Sequence, residues 1–250
     1  MPLFRFAVAL TLLLSAAALS AQDLATTCHA TSSYDVTLNA DSVVFDRATP
    51  APSRVEIQHG SLRTDGVTVR LTAENQDRMT LFERDLRALA PRVRAVAQNG
   101  VDMAVQAVRA EASGMHLSAD TRTELDRRLT DHARELKQRI AVSRSTHDWN
   151  GDAINQYANQ IAGDLMPLIA SDMGQQAIDA AMNGDIQAAS ALRDQAANLA
   201  TQIQPRLLRR MQALRPQIQA LCPSIEALSE LQEGVRDSNG RSLELIQITR

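Results

Sequence analysis

The chain has 250 residues, with 26 Lys and Arg against 29 Asp and Glu, a formal charge of −3 at pH 7. That mild acidity gives no electrostatic footprint for nucleic acid, whose binding proteins carry a basic balance. Aromatic residues are only 3%, which, with plentiful Ala, favours closely packed helices over a bulky core or a sugar-binding cleft.

The first residues read as a leader. Arg5 precedes the apolar run from Phe6 to Leu14 and then the small residues from Ser15 to Ala21, the order of a secretory signal peptide. Cleavage is expected after Ser20 or Ala21, taking off residues 1–21. A membrane anchor would need roughly 20 strongly apolar residues, and this run dissolves into Ala and Ser first. No other segment reaches that length. Cys28 follows Ala25-Thr26-Thr27, without the Leu of a lipoprotein box. Losing Arg5 leaves 25 basic residues against 29 acidic, a charge of −4. Every basic residue except Lys137 is Arg, which reads as genomic base bias.

Two cysteines remain, Cys28 and Cys222, near the two ends of the mature chain. In an oxidising compartment one bridge between them is expected. Closing so long a loop is worth about 5 kcal/mol in the chain-entropy model, an upper figure. A catalytic dithiol would sit close in sequence, as in C-x-x-C, and this spacing is not that.

From Tyr34 to about Thr72 the pattern is two-fold: Val36 and Leu38, then Val43 to Phe45, then Val55 and Ile57, then Val67, Val69 and Leu71. Turn residues separate them at Pro50 to Pro52, His59-Gly60 and Asp65-Gly66; the last suits a tight hairpin. A small antiparallel sheet of three or four strands is expected over residues 22–72.

The period then turns helical. Met79, Phe82, Leu86, Leu89, Val93 and Val96 form a seam of the coiled-coil kind, which Pro91 should kink or restart. A second helix opens at Thr121, with Thr121 and Glu124 as a capping box, and carries Leu125, Leu129, Leu136 and Ile140. After a loop at His147 to Gly151, a third carries Ile154, Tyr157, Ile161, Leu165, Leu168 and Ile169 up to Asn183-Gly184. The last and longest stretch runs from Ile186 to Leu221, bent at Pro205 and Pro216. Leu243 and Leu245 then begin a C-terminal strand. The expected fold class is α+β: a small antiparallel N-terminal sheet (22–72), long Ala-rich helices in a bundle or extended hairpin (73–240), and a short C-terminal strand or tail (241–250).

The early Cys28, the run Ser61-Leu62-Arg63-Thr64-Asp65-Gly66-Val67-Thr68-Val69-Arg70-Leu71-Thr72-Ala73-Glu74-Asn75-Gln76, a helix reaching Leu89-Ala90-Pro91, and the late Cys222 resemble the YggN-like periplasmic proteins, a family of unknown function. The resemblance implies residence in the periplasm and carries over no catalytic residue.

Motifs of known chemistry are not found. His29, His59, His116, His132 and His147 are scattered, without HExxH or a paired spacing on one helix. Asp148, Asn150 and Asp152 open like a calcium loop, but Ala153 and Asn159 stand where its Gly and closing Glu belong, and Asp152 reads as a helix N-cap. No cofactor, metal or nucleic acid is expected. Arg206, Arg209, Arg210 and Arg215 lie along the last helix, either as a solvated face or as a positive strip for anionic lipid head groups or an acidic partner.

The functional expectation is a non-enzymatic binding or scaffolding protein, with a protein partner or a second copy held through helical seams. The candidate interaction surface is Leu207, Met211, Leu214 and Ile218, flanked by Arg206 and Arg210. Alternatives are an envelope-lipid or hydrophobic-ligand binder, or a hydrolase in which His116 or His132 meets acids across helices.

Overall fold

The computed structural model describes residues 25–194, 209 and 212–249. The expected leader at 1–21 lies outside the described residues, as do Arg206, Leu207, Arg210 and Met211. The chain divides into two compact units, one of Gln98–Ile140 and Gly151–Ala213, the other of Ser20–Ala97, Ala141–Asn150 and Leu214–Arg250.

In the sheet-containing unit, β2 (Asp35–Leu38), β3 (Val43–Asp46), β4 (Arg54–Gln58), β5 (Ser61–Thr64) and β6 (Val67–Val69) form a five-stranded antiparallel meander, each strand paired to the next. The strand missed in the sequence is β5, whose alternation of Ser61 and Arg63 outward with Leu62 and Thr64 inward spans only four residues. Two-residue turns bound it on either side. His59 and Gly60 have φ of 49° and 79°, Asp65 and Gly66 48° and 80°, the paired positive angles of tight hairpins whose twist matches the strands. Asp65 fastens the second turn back onto β4, its Oδ1 accepting from the backbone N–H groups of Ser53 (2.8 Å) and Arg54 (2.9 Å).

The apolar face of the sheet packs under the first part of α1 (Ala73–Ser113). Phe45, Val55, Ile57 and Leu62 are buried with Met79, Phe82 and Leu89 of the helix, and the rings of Phe45 and Phe82 lie 6.0 Å apart. This is why the unit takes in residues 73–97: the helix supplies the sheet's cover. The buried Glu83 carboxylate accepts from the N–H of His59 at 2.8 Å and from Arg87 at 2.8 Å, which sets the β4–β5 turn onto α1. The helix runs through Pro91 as one element rather than restarting there. Beyond it the seam loses burial, and Val93 is exposed.

Arginines of α1 serve as tethers to main-chain carbonyls. Arg78 donates to the oxygens of Glu230 and Leu231, Arg92 to that of Ala220 (2.7 Å), Arg87 to that of Asn39 (2.7 Å) and Arg94 to that of Ser143 (2.8 Å). Four of these recipients, Ser143, Ala220, Glu230 and Leu231, are at helix C-termini, whose carbonyls favour a cation.

The C-terminal part of the unit departs from the expected single helix. A 3-10 turn at Gln212–Leu214 leads into α4 (Arg215–Gln219), and α5 (Cys222–Gln232) follows. Pro216 and Pro223 stand in the first turns of these helices, where a missing N–H costs nothing, so Pro216 begins a helix instead of bending one. Cys222 is bonded to Cys28, with their Cα atoms 5.1 Å apart. The C-terminal strand β7 is Gln247–Ile248, antiparallel to β1 (Ala30–Thr31). It starts later than expected. Leu243 and Leu245 are buried in the stretch before it, where the Gln232 side chain accepts from the N–H groups of Leu245 (2.8 Å) and Ile246 (3.1 Å).

The other unit is helical. The C-terminal part of α1, α2 (Ala119–Val142) and α3 (Gly151–Met182) enclose a core of Ala112, Met115, Leu117, Leu125, Leu129, Leu165, Ile169 and Met173. The cap of α2 is Ser118, not Thr121: its Oγ accepts from the Thr121 N–H at 3.2 Å, and Asp172 of α3 holds both the Ser118 N–H (3.0 Å) and the Thr121 hydroxyl (3.0 Å). Asn183 and Gly184 end α3, and residues 186–194 are helical again.

Candidate functional site

Among the described residues a group of titratable side chains stands on the seam of α2 and α3. On α2, Glu124, Arg127, Arg128, Asp131, His132, Glu135 and Arg139 recur at spacings of one, three and four, so they share one broad face. On α3, Tyr157 and Asp164 are two turns apart and meet that face. Six of these residues, Arg127, Arg128, Asp131, His132, Glu135 and Asp164, line an open cleft of about 290 Å³.

Asp164 is the hub across the seam. Its Oδ1 accepts from Arg128 Nη1 at 2.8 Å, and its Oδ2 stands 2.9 Å from His132 Nε2. The bond from His132 holds the Asp164 carboxyl below its usual value, with Arg128 acting the same way and burial opposing. A carboxylate held ionised can only accept, so the proton lies on His132 Nε2. Glu124 takes hydrogen bonds from Arg127 (2.7 Å) and Arg128 (2.7 Å), which bring its pKa down to about 2. Glu135 is lowered by Arg139 and then by the Tyr157 hydroxyl, which donates at 3.2 Å. The Arg139 guanidinium also covers the Tyr157 ring at 4.4 Å.

The cleft therefore holds guanidinium, carboxylate and imidazole groups already paired with one another. The physical role of the arrangement is to bind two helices at Asp164, which accepts from Arg128 and His132 of α2, because hydrogen bonds to an ionised group are about twice as strong as neutral ones.

Of the sequence-predicted residues, Cys28 and Cys222 are brought together in the disulfide. Leu214 and Ile218 are buried, so these two side chains are packed within their unit rather than offered to a partner. His132 meets Asp164; His116 is exposed; His147 Nδ1 is 2.9 Å from Asp35. Asp148 accepts from the Ser143 hydroxyl at 3.0 Å, and Asp152 lies in the first turn of α3 rather than at its cap. Among the described residues no group of three His, Cys, Asp or Glu is placed to hold a metal ion, and no helix is long and apolar enough to cross a membrane.

The model of a family described as a protein of unknown function, DUF2884, matches residues 28–243. The chain belongs to the DUF2884 family. The matched span opens at Cys28 and includes Cys222, so both ends of the bridge lie within it. No curated protein and no solved structure matches.

Sequence analysis set His132 against acids across helices, and the structure supplies Asp164 as that acid; what sequence reasoning missed is the surrounding cluster of paired charges. Its signal was the i, i+4 pair Arg128 and His132 on one helix face; Asp164, 32 residues further on, has no mark that singles it out.

Proposed function

We propose that this DUF2884 protein is YggN-like: exported, trimmed after Ser20 or Ala21, and active in the periplasm as a non-enzymatic binding or scaffolding protein working through its helices. The observation that carries the reading is the Cys28–Cys222 bond, since such bonds persist in oxidising compartments and a leader precedes Cys28. The self-neutralised seam cluster supports a structural use of the charges. Exposed apolar side chains at the C-terminal end of α3 and just beyond it, Ile178 (54%), Met182 (73%) and Ile186 (68%), supply contact surface of the kind partners cover.

Cell fractionation with N-terminal sequencing tests the export: a periplasmic species beginning at residue 21 or 22 is expected, and a cytoplasmic, uncut chain refutes it. Photo-crosslinkers at Ile178 and Met182 test the binding surface. A discrete protein adduct is expected; adducts to lipid only would favour the hydrophobic-ligand alternative. The His132–Asp164 pair keeps a hydrolase reading alive, and a hydrolytic activity lost in His132→Ala but not in His116→Ala would replace the binding proposal.

A further inference from the structure

The two edges of the five-stranded sheet are treated differently. The outer side of β2 is covered by residues 144–146: the Leu38 N–H donates to the Arg144 carbonyl (2.8 Å), Thr37 bridges to Ser145, and the Val36 N–H donates to Thr146 Oγ1 (2.8 Å). The other edge is β6, which pairs with β5 alone. In that hairpin Thr64 faces Val67, Arg63 faces Thr68 and Leu62 faces Val69. Across a two-residue turn the flanking pair Thr64 and Val67 is hydrogen-bonded, so the next pair is not. The N–H and C=O of Thr68 therefore point away from β5, and no strand among the described residues receives them.

The side chains of this edge are apolar on the face that carries the core. Val67 and Val69 stand opposite Thr64 and Leu62, both buried, yet Val67 is 56% exposed. The covered face of the sheet thus runs on past its cover.

We propose that a second copy of this chain pairs on β6, antiparallel and two-fold, with Thr68 opposite Thr68 of the partner. The register is self-complementary. Thr68 exchanges both hydrogen bonds with its counterpart, and each Val67 falls opposite a Val69 across the axis, giving two β-branched pairs on the core face. On the outer face Thr meets Thr, a favourable cross-strand pair. Arg70, the one charge beside the strand, falls opposite Gly66, where no side chain opposes it and no like charge repels it. Edges of natural sheets are blunted by charge, Pro or cover; here β2 has cover, and β6 has only its shortness. The dimer joins two meanders into one continuous sheet. It goes beyond the proposed binding role and stands or falls separately from it.

Sedimentation of the oxidised protein, cleared of residues 1–21, over a concentration series up to about 1 mM is the test. The mass is expected to rise from one chain toward two, with slowed amide exchange at Thr68. Thr68→Pro removes the outward N–H and no bond to β5, so it is expected to keep the circular dichroism and melting of the wild type and to remain monomeric. Val67→Lys, at an exposed position, is expected to do the same and decides the matter if the proline variant misfolds. A wild type that stays monomeric throughout overturns the proposal. So does a folded Val67→Lys that dimerises as the wild type does, or a monomer that takes an extended peptide on β6 instead.

Discussion

Replacing Gly60 by Ala sets a single methyl group against α1. Gly60 has φ of 79°, where an L-residue pays about 1–2 kcal/mol. The added Cβ would also stand 2.2 Å from Thr80 Oγ1 and 2.7 Å from the Gln76 carbonyl oxygen. The hydroxyl could turn aside, but that carbonyl accepts Thr80's own hydroxyl at 2.9 Å and belongs to a helix backbone. The turn must lift instead, straining the Glu83 bond to the His59 N–H. Forced contacts of this sort cost about 1–3 kcal/mol, so the total is about 2–5 kcal/mol against a typical stability of about 5–15. Gly66→Ala is the internal control. Gly66 has φ of 80° and nothing within 4 Å of an added Cβ, so it carries the strain without the collision. Any gain from stiffening the unfolded chain is shared by both variants and cancels between them. Thermal unfolding followed by circular dichroism should show Gly60→Ala melting below Gly66→Ala by about 2–12 °C, at about 2–4 °C per kcal/mol. Equal melting temperatures would refute the close approach of turn and helix.

Removing the bridge with Cys28→Ser and Cys222→Ser together should lower stability by up to about 5 kcal/mol, read by denaturant titration, and mass spectrometry of a non-reduced digest of the native protein should find the two cysteine peptides joined. Leu214→Glu would bury an unpaired carboxylate and should cost at least about 3 kcal/mol; a variant as stable as the wild type would return this residue to the surface. For Glu124 the folded pKa is depressed from 4.5 to about 2, so its contribution is present above 4.5 and is lost as pH falls through about 2. Asp164 acts with the same sign. Helicity of the wild type should therefore decline across that acid window, added salt should weaken the effect because these groups are partly exposed, and Glu124→Gln should flatten the pH dependence of the melting temperature.

What could be read in the sequence was what local chemistry enforces. Asp65-Gly66 marks a hairpin because few other pairs tolerate two positive φ angles, His59-Gly60 marks a turn, and the Met79 to Leu89 seam marks a helix because its spacing has no strand equivalent. The bridge followed from having only two cysteines to pair. Strand β5 escaped because four residues between two turns barely establish a period. Helix α4 escaped as a separate element because Pro216, seen without structure, looks like a bend in one long helix when it in fact stands in a helix's first turn. The arginine tethers of α1 were taken for coding bias, since a carbonyl recipient such as Ala220 or Asn39 leaves no trace in residue type. The His132–Asp164 contact needed the packing of α2 on α3, which periodicity predicts in kind but not in register.

The sheet-containing unit is drawn from three separate stretches of chain, and its covalent closure spans 194 residues. A chain that emerges N-terminus first can fold the β2 to β6 meander and the start of α1 early. The strap over β2 follows only at residue 144, the bond partner of Cys28 only at 222, and the partner of β1 only at 247. Until then Cys28 is an unpaired thiol and β2 an open edge. Assembly therefore has a built-in order, in which the sequence of the helical unit appears between parts of an unfinished neighbour, and closure of the sheet-containing unit waits on the arrival of the later segments and not on the folding of the sheet.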